Sequence, residues 1–285
     1  MKKVMNKTLL VAAMTAALGM ASTGAVAVTY NPFSVNEQSV PGANANPLLS
    51  APNAAGKITG NYAEVVTFSG GATGTFATSI KWNAGQFVSP NGITPVPSQL
   101  GGLPSTPNYD LYALLQGTGN YSTNGSGVTT FTFNKGGSLN VWIDPNSDTT
   151  FTPPATGAGA WATANTGDPD YLIATGQFIS GMGTLDPTLT TCGPDGINCG
   201  SFGTTTSFLL TTLGKNYFTA PVPFYNTSFQ SGQLNNFTVA GTQSINGSLD
   251  VVFGNTVPEP ASLALMGIGL MGLGLSVRRR KNKQA

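Results

Sequence analysis

The 285-residue sequence contains no histidine, two cysteines and little charge, with Asp, Glu, Lys and Arg together making up 8% of it. Without histidine there is no Ser-His-Asp or Cys-His relay, and the usual zinc-hydrolase ligand sets cannot be built. Arginine occurs only at Arg278, Arg279 and Arg280. Between Val28 and Glu259 the cations are Lys57, Lys81, Lys135 and Lys215, against all 11 carboxylates. An acidic stretch without arginine cannot form the phosphate-neutralising surface that nucleic acid requires, so DNA and RNA are excluded as main partners. Solubility falls instead to Thr, Ser, Asn, Gln and Gly, a composition common in secreted and surface β-proteins and poor for amphipathic helical bundles.

What is there begins with a routing signal. Lys2, Lys3 and Lys7 precede an apolar stretch over residues 9–20, and Ala25-Val26-Ala27 presents the small residues of an A-x-A cleavage site. This is a secretory signal peptide over residues 1–27, read by the Sec machinery and cut by signal peptidase, with Ala25 and Ala27 as the cleavage determinants. Cys192 and Cys199 flank the turn sequence Gly193-Pro194-Asp195-Gly196. In an oxidising compartment they are expected to pair as a structural disulfide. Their spacing is not the redox one, and two thiols without histidine do not complete a zinc site.

The exported part, residues 28–256, reads as short β-prone runs separated by Gly, Pro and Asn turns. Residues 75–82 and 243–253 alternate with period two, and 62–68 and 171–179 are further β-prone runs. Residues 111–117 suit a strand or a brief helix. The clearest hairpin pairs 128–133 with 138–143 across Asn134-Lys135-Gly136-Gly137. Residues 144–169 form a long polar loop, and no helix is expected. The pattern predicts an all-β fold: one antiparallel β-sandwich or jelly-roll-like domain.

Three chemistries remain open. Carboxylates alone suffice for glycoside hydrolysis, with Glu37, Glu64, Asp110 and Asp250 as candidates by type; solvated or turn-forming carboxylates are the alternative. Asp144, Asn146 and Asp148 place oxygens at alternate positions, as in the first half of a Ca2+ loop, but the glycine and glutamate that complete such a loop are missing. A turn ending a strand explains the same residues, so no cofactor is expected beyond that Ca2+ candidate. Trp82, Trp142 and Trp161 offer rings for a glycan-binding face; Trp142, which alternates away from Val141 and Ile143, is the glycan-contact candidate, with edge packing as the competing explanation.

The last 29 residues carry the most specific signal. Val257, Pro258, Glu259 and Pro260 are followed by an uncharged run over 263–277, and then by Arg278, Arg279, Arg280, Lys281 and Lys283. Residues 261–277, as a helix at ~1.5 Å per residue, cover roughly 25 Å, just enough to cross a bilayer. The basic cluster keeps its own side in the cytoplasm and everything before Val257 outside. This order resembles the PEP-CTERM sorting signal over 257–285. The resemblance implies transient anchoring in the inner membrane, cleavage by an exosortase near Pro258-Glu259-Pro260, and delivery to the cell surface or extracellular matrix. Asn31-Pro32-Phe33, Val40-Pro41-Gly42, Pro223-Phe224-Tyr225-Asn226, Ser228-Phe229-Gln230 and the run over 245–253 resemble the flocculation-associated PEP-CTERM proteins. That resemblance implies a non-enzymatic protein working with exopolysaccharide in flocculation or biofilm. A carbohydrate-binding surface module is the alternative, and a carboxylate-dependent glycoside hydrolase the second.

Overall fold

The computed structural model describes residues 29–42, 53–101, 109–167, 169–192, 196 and 198–254. The signal-peptide residues Ala25 and Ala27 and the sorting residues Val257, Pro258, Glu259 and Pro260 lie outside the described residues. The strands in chain order are β1 (Phe33–Val35), β2 (Asn53–Ala55), β3 (Lys57–Gly70), β4 (Thr73–Val88), β5 (Asp110–Thr123), β6 (Thr129–Phe133), β7 (Gly136–Asp144) and β8 (Thr150–Thr152). There follow β9 (Ala162–Ala164), β10 (Tyr171–Leu185), β11 (Gly200–Thr206), β12 (Leu209–Leu210), β13 (Phe218–Ala220), β14 (Asn226–Ser231), β15 (Gly241–Ser248) and β16 (Asp250–Gly254). A short helix, α1 (Thr212–Tyr217), stands where no helix was expected. Thr211 caps it, its hydroxyl accepting from the Gly214 amide at 3.1 Å, which satisfies an amide that the first turn leaves free.

The strands are antiparallel, as the alternation predicts, but eleven of them form one sheet where a sandwich would stack two. Its ends are joined: β10 pairs with β6 and β7 on one side and with β11 on the other, β11 with β14, β14 with β16, and β16 with β3. The hydrogen-bonded circuit closes through β4 and β5. Closure removes most of the open edges that a sheet must otherwise protect, with β15, which pairs with β3 alone, keeping one.

The long strands explain why the expected hairpin at 128–143 is not one. Both β6 and β7 pair with β5, and both pair with β10. They are consecutive halves of a single strand position. Residues 134–137 bulge opposite Gly117 and Thr118, since Phe133 faces Gly119 and Ser138 faces Gln116. Gly136 and Gly137 supply the required positive φ angles, 108° and 71°. Asn-Lys-Gly-Gly has the local chemistry of a reversal, but reversing there would strip ladder partners from two long neighbours. Likewise β15 and β16 run end to end along β3, interrupted at Leu249. The 111–117 segment is strand throughout, and the 144–169 loop contains the small β8–β9 hairpin.

Alternation sends apolar side chains inward. Tyr62, Val66 and Phe68 of β3 meet Phe76, Ile80 and Trp82 of β4 and Leu111 and Leu115 of β5, all buried. One end of the barrel is filled by Phe68, Phe76, Tyr121, Phe131 and Phe133 in edge and tilted contacts at 5.2–6.3 Å. The other is sealed by β1, which lies between β2 and β13. There Phe33 packs on Phe87, Phe218, Phe224 and Phe253. Such ring pairs add to the stabilisation from area burial by ~0.5–1.5 kcal/mol each. The Cys192–Cys199 disulfide is formed, with Cα atoms 4.4 Å apart.

Of the three buried acids among the described residues, Glu37 and Glu64 sit within this apolar frame. Glu37 accepts from the Tyr109 hydroxyl at 2.8 Å and the Gln99 amide at 2.9 Å. Burial holds its carboxyl above the usual range despite those bonds. Burial pushes Glu64 up to about 7, opposed by a hydrogen bond from Thr78. Both acids are therefore best accommodated neutral, and the stability this gives is present at low pH and lost as pH rises through the folded-state values. For Glu64 the loss is on the order of 3 kcal/mol. The melting temperature is expected to fall between pH 5 and pH 8, and Glu64→Gln to flatten most of that slope; thermal unfolding across the range checks it.

Candidate functional site

The segment between β7 and β10 carries β8 and β9 and folds back as a flap over the outward face of β3, β4 and β5. The Gly157 amide donates to Thr67 Oγ1 at 2.9 Å, and Trp161 Nε1 donates to the Ser79 carbonyl at 3.2 Å. Phe151 meets Tyr112 edge-on at 4.9 Å. The Lys81 ammonium lies 4.5 Å from the Phe151 ring centre and 5.8 Å from that of Trp161. Burial holds this ammonium below its usual range, and the two rings offer it the negative faces that water would otherwise replace. At the base, Tyr112 and Thr149 both donate hydroxyls to Asp170. Glycine is required at 157, because a Cβ there would stand 2.0 Å from the Ala77 carbonyl oxygen.

The flap tip divides the outer face into two grooves. One, of about 300 Å3, is lined by Gln116, Thr118 and Ser138; the other, of about 470 Å3, by Thr67, Thr75, Asn134 and Thr156. Ala77, Thr118 and Ala158 border both, and no charged side chain lines either. Beyond them the strand register sets hydroxyls and amides in rows. Ser69, Thr75, Asn120 and Thr132 stand side by side across β3 to β6, and Thr73, Ser122, Thr130 and Thr184 form a second exposed row. This polar outside around an aromatic inside is the reverse of a lipid-embedded barrel.

The residues singled out from the sequence fall in different places. Trp142 points outward from β7 in register between Tyr112 and Leu172, half-buried, with its indole N–H enclosed and unpartnered. Trp82 belongs to the core, where its Nε1 donates to the Leu249 carbonyl at 2.8 Å. Asp144 is buried at the end of β7, and its carboxylate accepts from the Asn146 and Thr149 amides at 3.1 and 2.8 Å. That is the geometry of an Asx turn. Asp148 accepts from the Thr166 hydroxyl at 3.2 Å, while its Oδ1 is buried without a partner. Among the described residues no three acidic or sulfur side chains converge as a metal-holding group.

The carboxylates named for glycosidase chemistry are dispersed. Asp250 pairs with Lys57 at 2.8 Å. Glu37 lies at the β1 end and Glu64 inside the barrel. Asp110 faces Asp144 across β5 and β7, its carboxyl raised by burial and by that neighbouring charge. Sequence reasoning passed over the flap contacts; two aromatic residues, Phe151 and Trp161, in an otherwise polar loop were the available signal. Gly157→Ala is expected to undock the flap, making cleavage within residues 150–164 about tenfold faster while the barrel melts almost as before. Limited proteolysis followed by mass spectrometry checks this.

Residues 256–281 match the family model described as the PEP-CTERM protein-sorting motif. No curated protein and no solved structure matches the chain. The chain thus carries a PEP-CTERM sorting motif, which marks it as an exported protein sorted through a membrane-anchored stage and processed by an exosortase.

Proposed function

We propose that the exported part is a cell-surface or extracellular-matrix protein that binds exopolysaccharide and helps to hold cells together in flocs or biofilm. It acts by contact and not by catalysis. The observation that carries this reading, beside the sorting motif, is on the outer face: two grooves lined by no charged side chain and two rows of hydroxyl and amide side chains. Each such side chain both donates and accepts, as sugar hydroxyls do, and many weak contacts along one polymer add up through effective concentration. Neutral contacts of this kind are only weakly screened by salt.

A compact carbohydrate-binding module is the second reading, favoured by Trp142 on the same outward side. Its half-buried ring offers a limited stacking face, so the hydroxyl rows bear more of the expected contact. The glycosidase reading needs two carboxylates facing one groove, and neither groove beside the flap is lined by one. The test is to produce Thr75→Glu/Thr118→Glu, which puts charge into the grooves without touching the core, in cells lacking the native chain. The variant is expected to leave the cells normally yet restore little aggregation and retain little extracted polysaccharide. Full aggregation and full polysaccharide retention by the variant would exclude the grooves as the contact surface.

A further inference from the structure

The barrel end farthest from β1 holds a partly open cavity of about 30 Å3, bounded by Phe68, Phe76, Phe131, Phe133 and Phe202, with Glu64 as its one ionisable side chain. That volume is room for about one or two water molecules. Glu64 is buried, receives one hydrogen bond from Thr78, and has no cation in the cavity lining. A carboxylate so placed lacks the counter-charge that buried ions need.

The closure over this cavity is slight. Phe237 covers it, half-buried, stacked at 6.0 Å on Phe68 and 6.1 Å on Phe131. Its loop is tied at the base, where the Asn235 amide group donates to the Asn246 carbonyl and the Asn236 amide to the Gly196 carbonyl. Past Asn236, the hydrogen bonds among the described residues run from Ala240 to Thr238 and from Gln243 to Ala240, within the loop and its junction with β15. Among the described residues no hydrogen bond holds Phe237 inward; ring contacts and the packing of its loop neighbour Val239 on the core do so, and displacing Phe237 adds the volume of its own side chain to the cavity.

We propose that this cavity is a binding site for a small hydrophobic amine, whose apolar body replaces Phe237 against Phe68 and Phe131 and whose ammonium pairs with Glu64. The phenylalanine walls select an apolar body, and their faces attract a cation. The carboxyl rejects anions and gains from an ammonium what an uncharged ligand cannot supply.

The test uses the full chain in lipid nanodiscs, with empty nanodiscs as the blank, and titrates benzylamine and uncharged benzyl alcohol by calorimetry. Benzylamine is expected to bind at least about tenfold more tightly than the alcohol at pH 8, a preference that shrinks towards pH 5 as Glu64 takes up its proton. Phe237→Ala should tighten benzylamine binding, and Glu64→Gln should erase both the preference and its pH dependence. Absence of saturable benzylamine binding to Phe237→Ala at pH 8 would overturn the proposal, as would a preference that survives Glu64→Gln.

Discussion

The β10–β11 ladder joins the two ends of the large sheet, and most of the molecule's character follows from that closure. Once the circuit is complete, each strand has an inside and an outside, and alternation sorts the sequence between them. The inside is dominated by aromatic rings. The outside has so few charges that it must hold water through hydroxyls and amides. Had the ladder been left open, β10 and β11 would each present a long unpaired edge, with almost no lysine to discourage association.

The same closure explains which features were legible in the sequence. Period-two runs such as 75–82 and 243–253 were readable because each strand has one buried face. The antiparallel all-β class followed from them, and the disulfide followed from cysteine spacing and compartment. Pairing was not readable. Asn134-Lys135-Gly136-Gly137 carries the composition of a turn and serves as a bulge, because the decision belongs to β5 and β10, which are distant in sequence. The helix after Thr211 was hidden by its brevity and by a glycine within it.

Candidate chemistry was legible by residue type and not by place. Asp144 suited either a Ca2+ ligand or a strand-ending turn, and it accepts its own turn's amides; Trp142 suited either a glycan contact or edge packing, and it lies half-buried in register between Tyr112 and Leu172. Glu64 was one carboxylate among several, and only the fold puts it behind phenylalanines. What the sequence did announce was the route. The PEP-CTERM motif over residues 256–281 is a short local code, so no tertiary context is needed to recognise it.

The account's central claim is that the barrel is a delivered product, released from its sorting tail and bearing its polar face outside the cell. Intact-mass measurement of the chain recovered from outside its own cells tests this most directly. The account predicts a species beginning near Val28, ending near Pro258-Glu259-Pro260, and keeping the Cys192–Cys199 bond. Recovery of the chain solely from the inner membrane, with Arg278, Arg279 and Arg280 still attached, would contradict it.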